Sequence, residues 1–516
     1  MAATHSSVSG PTTVSAEEVL HAAPPPRVEP GARERIRQSN IQHGYRIAVL
    51  DDDPTGSQTV HDAQVVTVFE PAEYAAGLET AGSTCFILTN SRSLPDGPAA
   101  ELSRRVAQDL YRLSDTWGTA PEIVSRSDST LRGHVLAEVA AIGEAHREVT
   151  GRDVDGVLLV PAFFEAGRFT AGDVHWATVD GRQVPVGESE FAKDATFGYR
   201  SSNLRDFVAE VSGGAIAADQ VRSISLNDIR VGGPDRVAQL LADTADGAFV
   251  VINATGYDDL EIVVLGLQVA KDAGKRFLYR TGPSFVRALA GLEPREPLTG
   301  QEISAETPTT AGRYGLVVVG SHVGLTSRQV EVARSRGGLA EIELDVPTLV
   351  DPATRDAHIA AAAAAVVEAL QRSDALLYTS RDLILGRDPQ DSLAISRSVS
   401  TAVIEVVRLA LAGHPRWVIA KGGITSHDVA VHGLGIRRAT VLGQLFPGLV
   451  SVLRPVEAAA GAVGVPYVVF AGNVGDEGTL AEVIARFSTG PGEPAVAPEP
   501  PAQSLASSTI SNPGDH

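Results

Sequence analysis

Short runs of apolar, largely β-branched residues punctuate the chain at RIAVL (46–50), TCFILT (84–89), EIVS (122–125), GVLLV (156–160) and AFVVI (248–252). They resume at GLVVV (315–319), ALLYT (375–379), WVIA (417–420) and YVVF (467–470). Between them lie segments of helical period. In LRGHVLAEVAAIGEA (131–145), Leu131, Val135, Leu136, Val139 and Ile142 share one face, and 358–373 and 395–413 repeat the pattern. Strands that are apolar throughout, rather than alternating, are buried on both faces. Their alternation with helices predicts an α/β protein of two domains, each a mostly parallel sheet flanked by helices.

The pattern fades at both ends and once in the middle. Residues 1–44 carry PPPRVEP and no sustained period, which predicts a flexible amino-terminal arm. From 488 to 516 the chain is rich in Pro, Ser and Ala, which predicts a disordered tail. The polar, proline-containing stretch 293–314 reads as a linker between a first domain at 45–292 and a second at 315–487. With 516 residues there is room for both.

Composition narrows the partners. Lys and Arg number 43 against 63 Asp and Glu, a formal charge of −20 that repels nucleic acid and anionic membrane. Aromatic residues make up 5%, too few for base-stacking platforms. A lone cysteine, Cys85, rules out an internal disulfide and a cysteine zinc site. No run approaches the ~18 apolar residues of a membrane span, and the amino terminus has no basic start or apolar signal core. The expectation is a cytoplasmic protein with small-molecule ligands, and a homodimer is compatible with it.

The turns that follow the strands carry the chemistry. Asp51, Asp52 and Asp53 follow the first core strand, and three adjacent carboxylates repel one another unless an arginine, a metal ion or a substrate proton offsets them. FILT is followed by NSR with Arg92, and EIVS by RSDSTLRGH with Arg126, Asp128 and Arg132. GVLLV empties into PAFFEAGRFT with Arg168. Guanidinium forks at the carboxyl ends of strands are suited to a carboxylate ligand in the crevice of an open sheet. In the second half the turns are Gly-rich instead: Ser321 follows one strand, Gly422, Gly423, Thr425 and Ser426 another, and Gly472, Asn473 and Gly475 a third. Such turns hold phosphate or ribose oxygens on backbone N–H groups and hydroxyls. No G-x-x-x-x-G-K-[ST] segment exists, so a P-loop nucleotide site is excluded.

With these residues assembled, the chain resembles the four-carbon acid sugar kinase family. DDPTG (52–56), SRSDSTLRGH and PAFFEAGRFT look like its amino-terminal signatures; GSHVGLTSRQ (320–329), KGGITS (421–426) and AGNVGDEG (471–478) look like its carboxyl-terminal ones. The resemblance spans about 46–485. It implies a sugar-acid-binding domain, a nucleotide-binding domain, and phosphorylation of a threonate, erythronate or 3-oxo-tetronate by ATP with Mg²⁺. On that reading Asp53 or Asp52 is the base, Arg92, Arg126, Asp128, Arg132 and Arg168 hold the acid, and the Gly-rich turns hold ATP. The chain departs from the family where Lys-Ser-Gly-Asn-Phe-Gly is usual: Phe470, Ala471, Gly472, Asn473, Val474 and Gly475 stand there, and Ile424 replaces a frequent acidic residue. Two alternatives stay open. Asp51 as nucleophile with Asp53 as acid/base resembles a haloacid-dehalogenase-type phosphatase, although Lys421 and Asp476–Glu477, its nearest remaining motifs, lie beyond the domain break. A non-catalytic sugar-acid-binding protein is the other. His427 and His432 are five apart, off the register of a helical metal pair.

Overall fold

The computed structural model describes residues 13–53, 56–321, 323–380, 387–472 and 474–488, with side chains omitted at 389–391 and 393. Every strand expected from an apolar run is present, but the strands form one sheet rather than two. Its fifteen strands run in the order Leu339–Leu344, Asp374–Thr379, Leu316–Val319, Val418–Lys421, Tyr467–Phe470, Ser451–Glu457, Arg438–Gln444 and Gln64–Val66. It continues through Thr84–Leu88, Ile47–Asp51, Glu122–Arg126, Phe277–Thr281, Gly156–Val160, Ala248–Ile252 and Arg222–Ile224. The halves join where Arg438, Ala439 and Thr440 pair antiparallel with Val66, Val65 and Gln64. Both sides of that seam are short or polar strands that no apolar run announced.

The core follows from the period of two along each strand. Leu50 and Ile87 turn to one face, where they meet Val106, Leu110, Val139 and Ile142 of the helices Asp96–Arg112 and Val135–Thr150. Val49, Phe86 and Val124 turn to the other, into a cluster that continues across the seam to Val318, Leu377 and Val406. Val317, Val319 and Ile419 face a third cluster with Leu480 and Ile484. An apolar layer shared by both halves is the energetic counterpart of the shared ladder.

Two polar segments depart from expectation. Residues 13–44 are not a loose arm: Ala32–Gln42 is a helix whose Ala32, Ile36 and Asn40 are buried. Asn40 Nδ2 donates to Leu289 O at 2.9 Å, and Gln268 Nε2 donates to Ile36 O at 3.1 Å. The stretch 293–314 is not a free linker, since a capping box of Thr299 and Glu302 starts the helix Gly300–Glu306, which buries Ile303. Residues 1–12 and the expected tail from 489 lie outside the described residues.

Candidate active site

Parallel register aligns the strand ends of the first half. Asp51 pairs with Arg126, Arg126 with Thr281, and Thr281 with Val160, so the turns that follow leave the sheet on one row. Asp51 is fully buried, and its Oδ1 accepts from Arg126 Nη1 at 2.7 Å. Its Oδ2 and Arg126 Nε find no partner among the described residues. Burial pushes the Asp51 carboxyl up to about 7, with Asp52 and Asp53 adding to the rise and Arg126 opposing it. Arg126, expected to hold substrate, is therefore held beneath the surface by Asp51.

Asp52 is anchored from two sides. Arg92 grips it with Nη2–Oδ1 at 2.6 Å and Nε–Oδ2 at 3.2 Å, and the Ser127 hydroxyl donates to Oδ2 at 2.5 Å. Ser127 is itself positioned by Arg280 Nη2 at 2.7 Å, and Arg280 pairs with buried Glu138 at 2.5 Å. Gly133, at φ +119°, lets the backbone pass over this group: a Cβ there would lie 2.9 Å from Asp52 Oδ2. Ser127, Arg280 and Glu138 were not singled out from sequence, for Arg280 sits on a strand without a marked apolar run and Glu138 on the apolar face of its helix. Asp53 is the carboxylate left partly open, with side-chain exposure of 32% and Arg92 Nη1 at 3.4 Å.

The remaining predicted arginines gather beside this turn. Arg132 bonds Asp128 at 2.5 Å and lies 3.6 Å from Asp194. Burial alone would raise the Asp128 pKa, but Arg92 and Arg132, with the Thr130 hydroxyl and N–H, hold it down at about 2. Arg168 donates to Ser129 Oγ at 2.7 Å, and among the described residues it has no carboxylate partner. Its guanidinium lies 5.2 Å from the Phe191 ring centroid and 5.9 Å from that of Phe163. A cation walled by aromatic rings and without an acid of its own is suited to receive a carboxylate ligand.

In the second half, register aligns Val319, Lys421 and Phe470. The three Gly-rich turns converge: Thr326 Oγ1 donates to Gly472 O at 2.9 Å and lies 3.3 Å from Ser321 Oγ. Gly422, at φ +123°, packs on Ser321 and Thr425, where a Cβ would stand 3.0 Å from each. At Gly423, apart from its neighbours and its own helix, no atom of the described residues lies within 4 Å of where a Cβ would stand. Ser426, expected to touch a ligand, is buried; its hydroxyl donates to Ala420 O at 2.7 Å and closes the helix Gly423–Asp428 onto the strand. Gly475 packs on Thr479, and Asn473 lies outside the described residues. Lys421 was weighed only for the phosphatase. It is fully buried with its Nζ 2.6 Å from Ala471 O and 3.7 Å above the Phe470 ring. Burial lowers its pKa to about 7.

The parallel strands of the two halves run in opposite directions along the sheet, because three antiparallel pairings separate them. Contacts nevertheless join turns of the two halves. Gln58 Nε2 donates to Leu449 O at 3.3 Å, and Gly448 packs so closely on Glu165 that a Cβ would stand 2.5 Å from Glu165 Cβ. Burial lowers the pKa of His427, on the helix that follows Gly422, with Asp428 and, less strongly, Asp53 opposing the fall. Among the described residues no three acidic, His or Cys side chains converge.

Comparison with known proteins agrees with this division. The family model for a sugar-binding N-terminal domain matches residues 47–289, and that for a nucleotide-binding C-terminal domain matches 316–480. A D-threonate kinase of Salmonella typhimurium is 27% identical over 65% of this chain and 72% of its own length. A D-erythronate kinase of Heliobacterium modesticaldum is 27% identical over 52% of this chain and 54% of its own, and a D-threonate kinase of Cupriavidus necator is 24% identical over 78% and 88%. The crystal structure of Haemophilus influenzae protein HI1011 superposes with a TM-score of 0.59 at 19% identity, covering 86% of this chain and all of that one. The two matched domains, in this order and over most of the chain, place it in the four-carbon acid sugar kinase family.

Proposed function

We propose that this protein is an ATP-dependent kinase that phosphorylates a hydroxyl of a four-carbon sugar acid of the threonate or erythronate type. The observation that carries the reading is the meeting of two unlike turn clusters across one cleft: carboxylates and arginines from the sugar-binding half, Gly-rich turns from the nucleotide-binding half. Arg168, with Arg132 beside it, receives the acid's carboxylate. Asp53 accepts the proton of the attacking hydroxyl. Asp52 is saturated by Arg92 and Ser127 and serves to fix the turn on which Asp53 stands. The backbone around Gly422, Gly423 and Gly472, with Ser321 and Thr425, holds the phosphates, and Lys421 secures the Ala471–Val474 turn through its carbonyls. Mg²⁺ arriving with the nucleotide supplies charge neutralisation on its phosphates.

The phosphatase reading loses support from geometry. Asp51, its nucleophile, is sealed beneath Gly56 and tied to Arg126, out of reach of a phosphoester. The test is incubation with ATP·Mg²⁺ and a panel of C4 sugar acids, read by ADP formation. ADP release that depends on one of the acids is expected. Absence of acid-dependent ADP across the panel, or phosphate release from phosphorylated acids without nucleotide, would overturn the proposal.

A further inference from the structure

A cavity of about 310 Å³ opens at the amino ends of the strands Glu122–Arg126 and Phe277–Thr281, the edge of the sheet away from the candidate active site. From Glu122 at the cavity to Arg126 at that site is four residues of strand, roughly 13 Å. The volume lies in the range that holds small molecules. Part of the lining satisfies itself. Lys271 Nζ stands 3.0 Å from Glu122 Oε1 and 3.5 Å from the Tyr45 ring centroid, and the Tyr279 hydroxyl donates to Glu122 Oε2 at 2.5 Å. The rest does not. The hydroxyls of Tyr45 and Tyr111, Nε2 of His146, and Nε and Nη2 of Arg276 have no hydrogen-bond partner among the described residues. None of these atoms is shut off from solvent, as the hydroxyl of Tyr74 is, although Tyr45, Tyr111 and His146 are 9%, 2% and 6% exposed. Arg276 pairs with no carboxylate among the described residues, and its Nη1 is spent on Lys271 O and Lys275 O at 3.3 and 2.7 Å, which fixes the guanidinium in place.

We propose that this cavity is a second ligand site, taking a small hydroxylated organic anion whose carboxylate or phosphate head meets Arg276 and the two tyrosine hydroxyls while one of its own hydroxyls donates to His146 Nε2. The charge suits an anion: in a chain of formal charge −20, the lining holds Lys271 and Arg276 against the single carboxylate of Glu122, which Lys271 already neutralises. The hydroxyl requirement comes from the imidazole. His146 Nδ1 lies 2.8 Å from Arg152 O, and a carbonyl only accepts, so that nitrogen carries the proton. Burial favours the neutral ring, and its Nε2 is then an acceptor that an anionic head cannot satisfy but a hydroxyl can. Convergent polar groups left open in a mostly buried pocket, beside others fully paired, are the mark of a site built for a partner. The site is independent of the kinase reading, since none of these residues belongs to the proposed transfer.

The experiment measures binding to the full chain by calorimetry with three probes of one size: glycerate, glycerol 3-phosphate and neutral glycerol. At least one of the two anions is expected to bind, and the better of them distinguishes a carboxylate head from a phosphate head; glycerol should not bind. Arg276→Ala should weaken the anion about tenfold or more, the worth of a charge-assisted hydrogen bond. The double variant Tyr45→Phe/Tyr111→Phe removes only two oxygen atoms, so it should melt as wild type does and weaken the anion severalfold. It decides the matter should Arg276→Ala fail to fold. Arg168→Ala, in the candidate active site, should leave this affinity within about twofold. The proposal is overturned if neither anion binds, if glycerol binds as well as they do, or if a folded tyrosine double variant binds like wild type. It is also overturned if Arg168→Ala abolishes the binding, which would put the anion in the active site instead.

Discussion

At the scale of single residues, the two ends of the proposed transfer should fail in different ways. Asp53→Asn keeps the shape of the turn but cannot take a proton, so kcat should fall by ~10²–10⁴ with the acid's KM little changed. Arg168→Ala removes a contact made to ground and transition states alike, so the acid's KM should rise with kcat largely kept. Gly423→Val places its branch in space that is open in the protein, so the variant should fold normally and show a steep rise in the KM for ATP. Steady-state kinetics on the three variants checks all of this; a Gly423→Val enzyme with unaltered ATP saturation would remove the phosphates from that turn. Lys421 gives a test without substrate. Its amine titrates near 7 in the folded protein and near 10.5 in the unfolded chain, so the unfolded state binds the extra proton between those values. Stability should therefore rise with pH from about 7 to 10.5, fall by the same amount as pH drops from 10.5 to 7, and be independent of this group below 7. The slope is at most ~1.4 kcal/mol per pH unit, and Lys421→Met should remove it in urea titrations run at several pH values.

At the scale of elements, sequence and structure agree where a pattern has several members and part where it has one. Val135, Val139 and Ile142 announced their helix by repetition. The helix Ala32–Gln42 presents a buried stripe of Ala32, Ile36 and Asn40, spaced by four, while its other large apolar residue, Ile41, lies off that stripe and is exposed. Two isoleucines five apart carry no helical period, and a buried asparagine reads as a surface residue until its partner Leu289 O is known. The same limit applies to the site. That Asp52, Asp53, Arg92 and Arg168 would gather was legible, because unlike charges cluster after strands. Arg280, Glu138 and Ser127 were not, because their meeting depends on a sheet register that no local signal encodes. The burial of Arg126 against Asp51 was not legible, since exposure is a property of the fold and not of the motif. Ile36→Ala should cost ~2–5 kcal/mol, the range for a buried aliphatic truncated in a closed core, measured as a lower denaturation midpoint. A change below the detection limit would mean the helix is only laid against the surface.

At the scale of the whole molecule, a single ladder and a shared apolar layer join the two halves. No helix among the described residues is long and apolar enough to cross a membrane. Heating should produce one cooperative transition instead of two, with calorimetric and van't Hoff enthalpies in agreement. Two resolved transitions would show the seam at Gln64–Val66 to be energetically weak.

The seam also governs what happens if the polypeptide is divided. A chain opened between Glu293 and Glu296 would leave each fragment with a raw border, Gln64–Val66 on one and Arg438–Gln444 on the other, lined with backbone groups seeking a partner. Neither fragment should remain dispersed when made alone, for each border is a template for the wrong strand. Produced together, the two should find one another and rebuild the enzyme from its pieces, so that cutting and fusing this gene would leave no viable intermediate in which only one half is inherited.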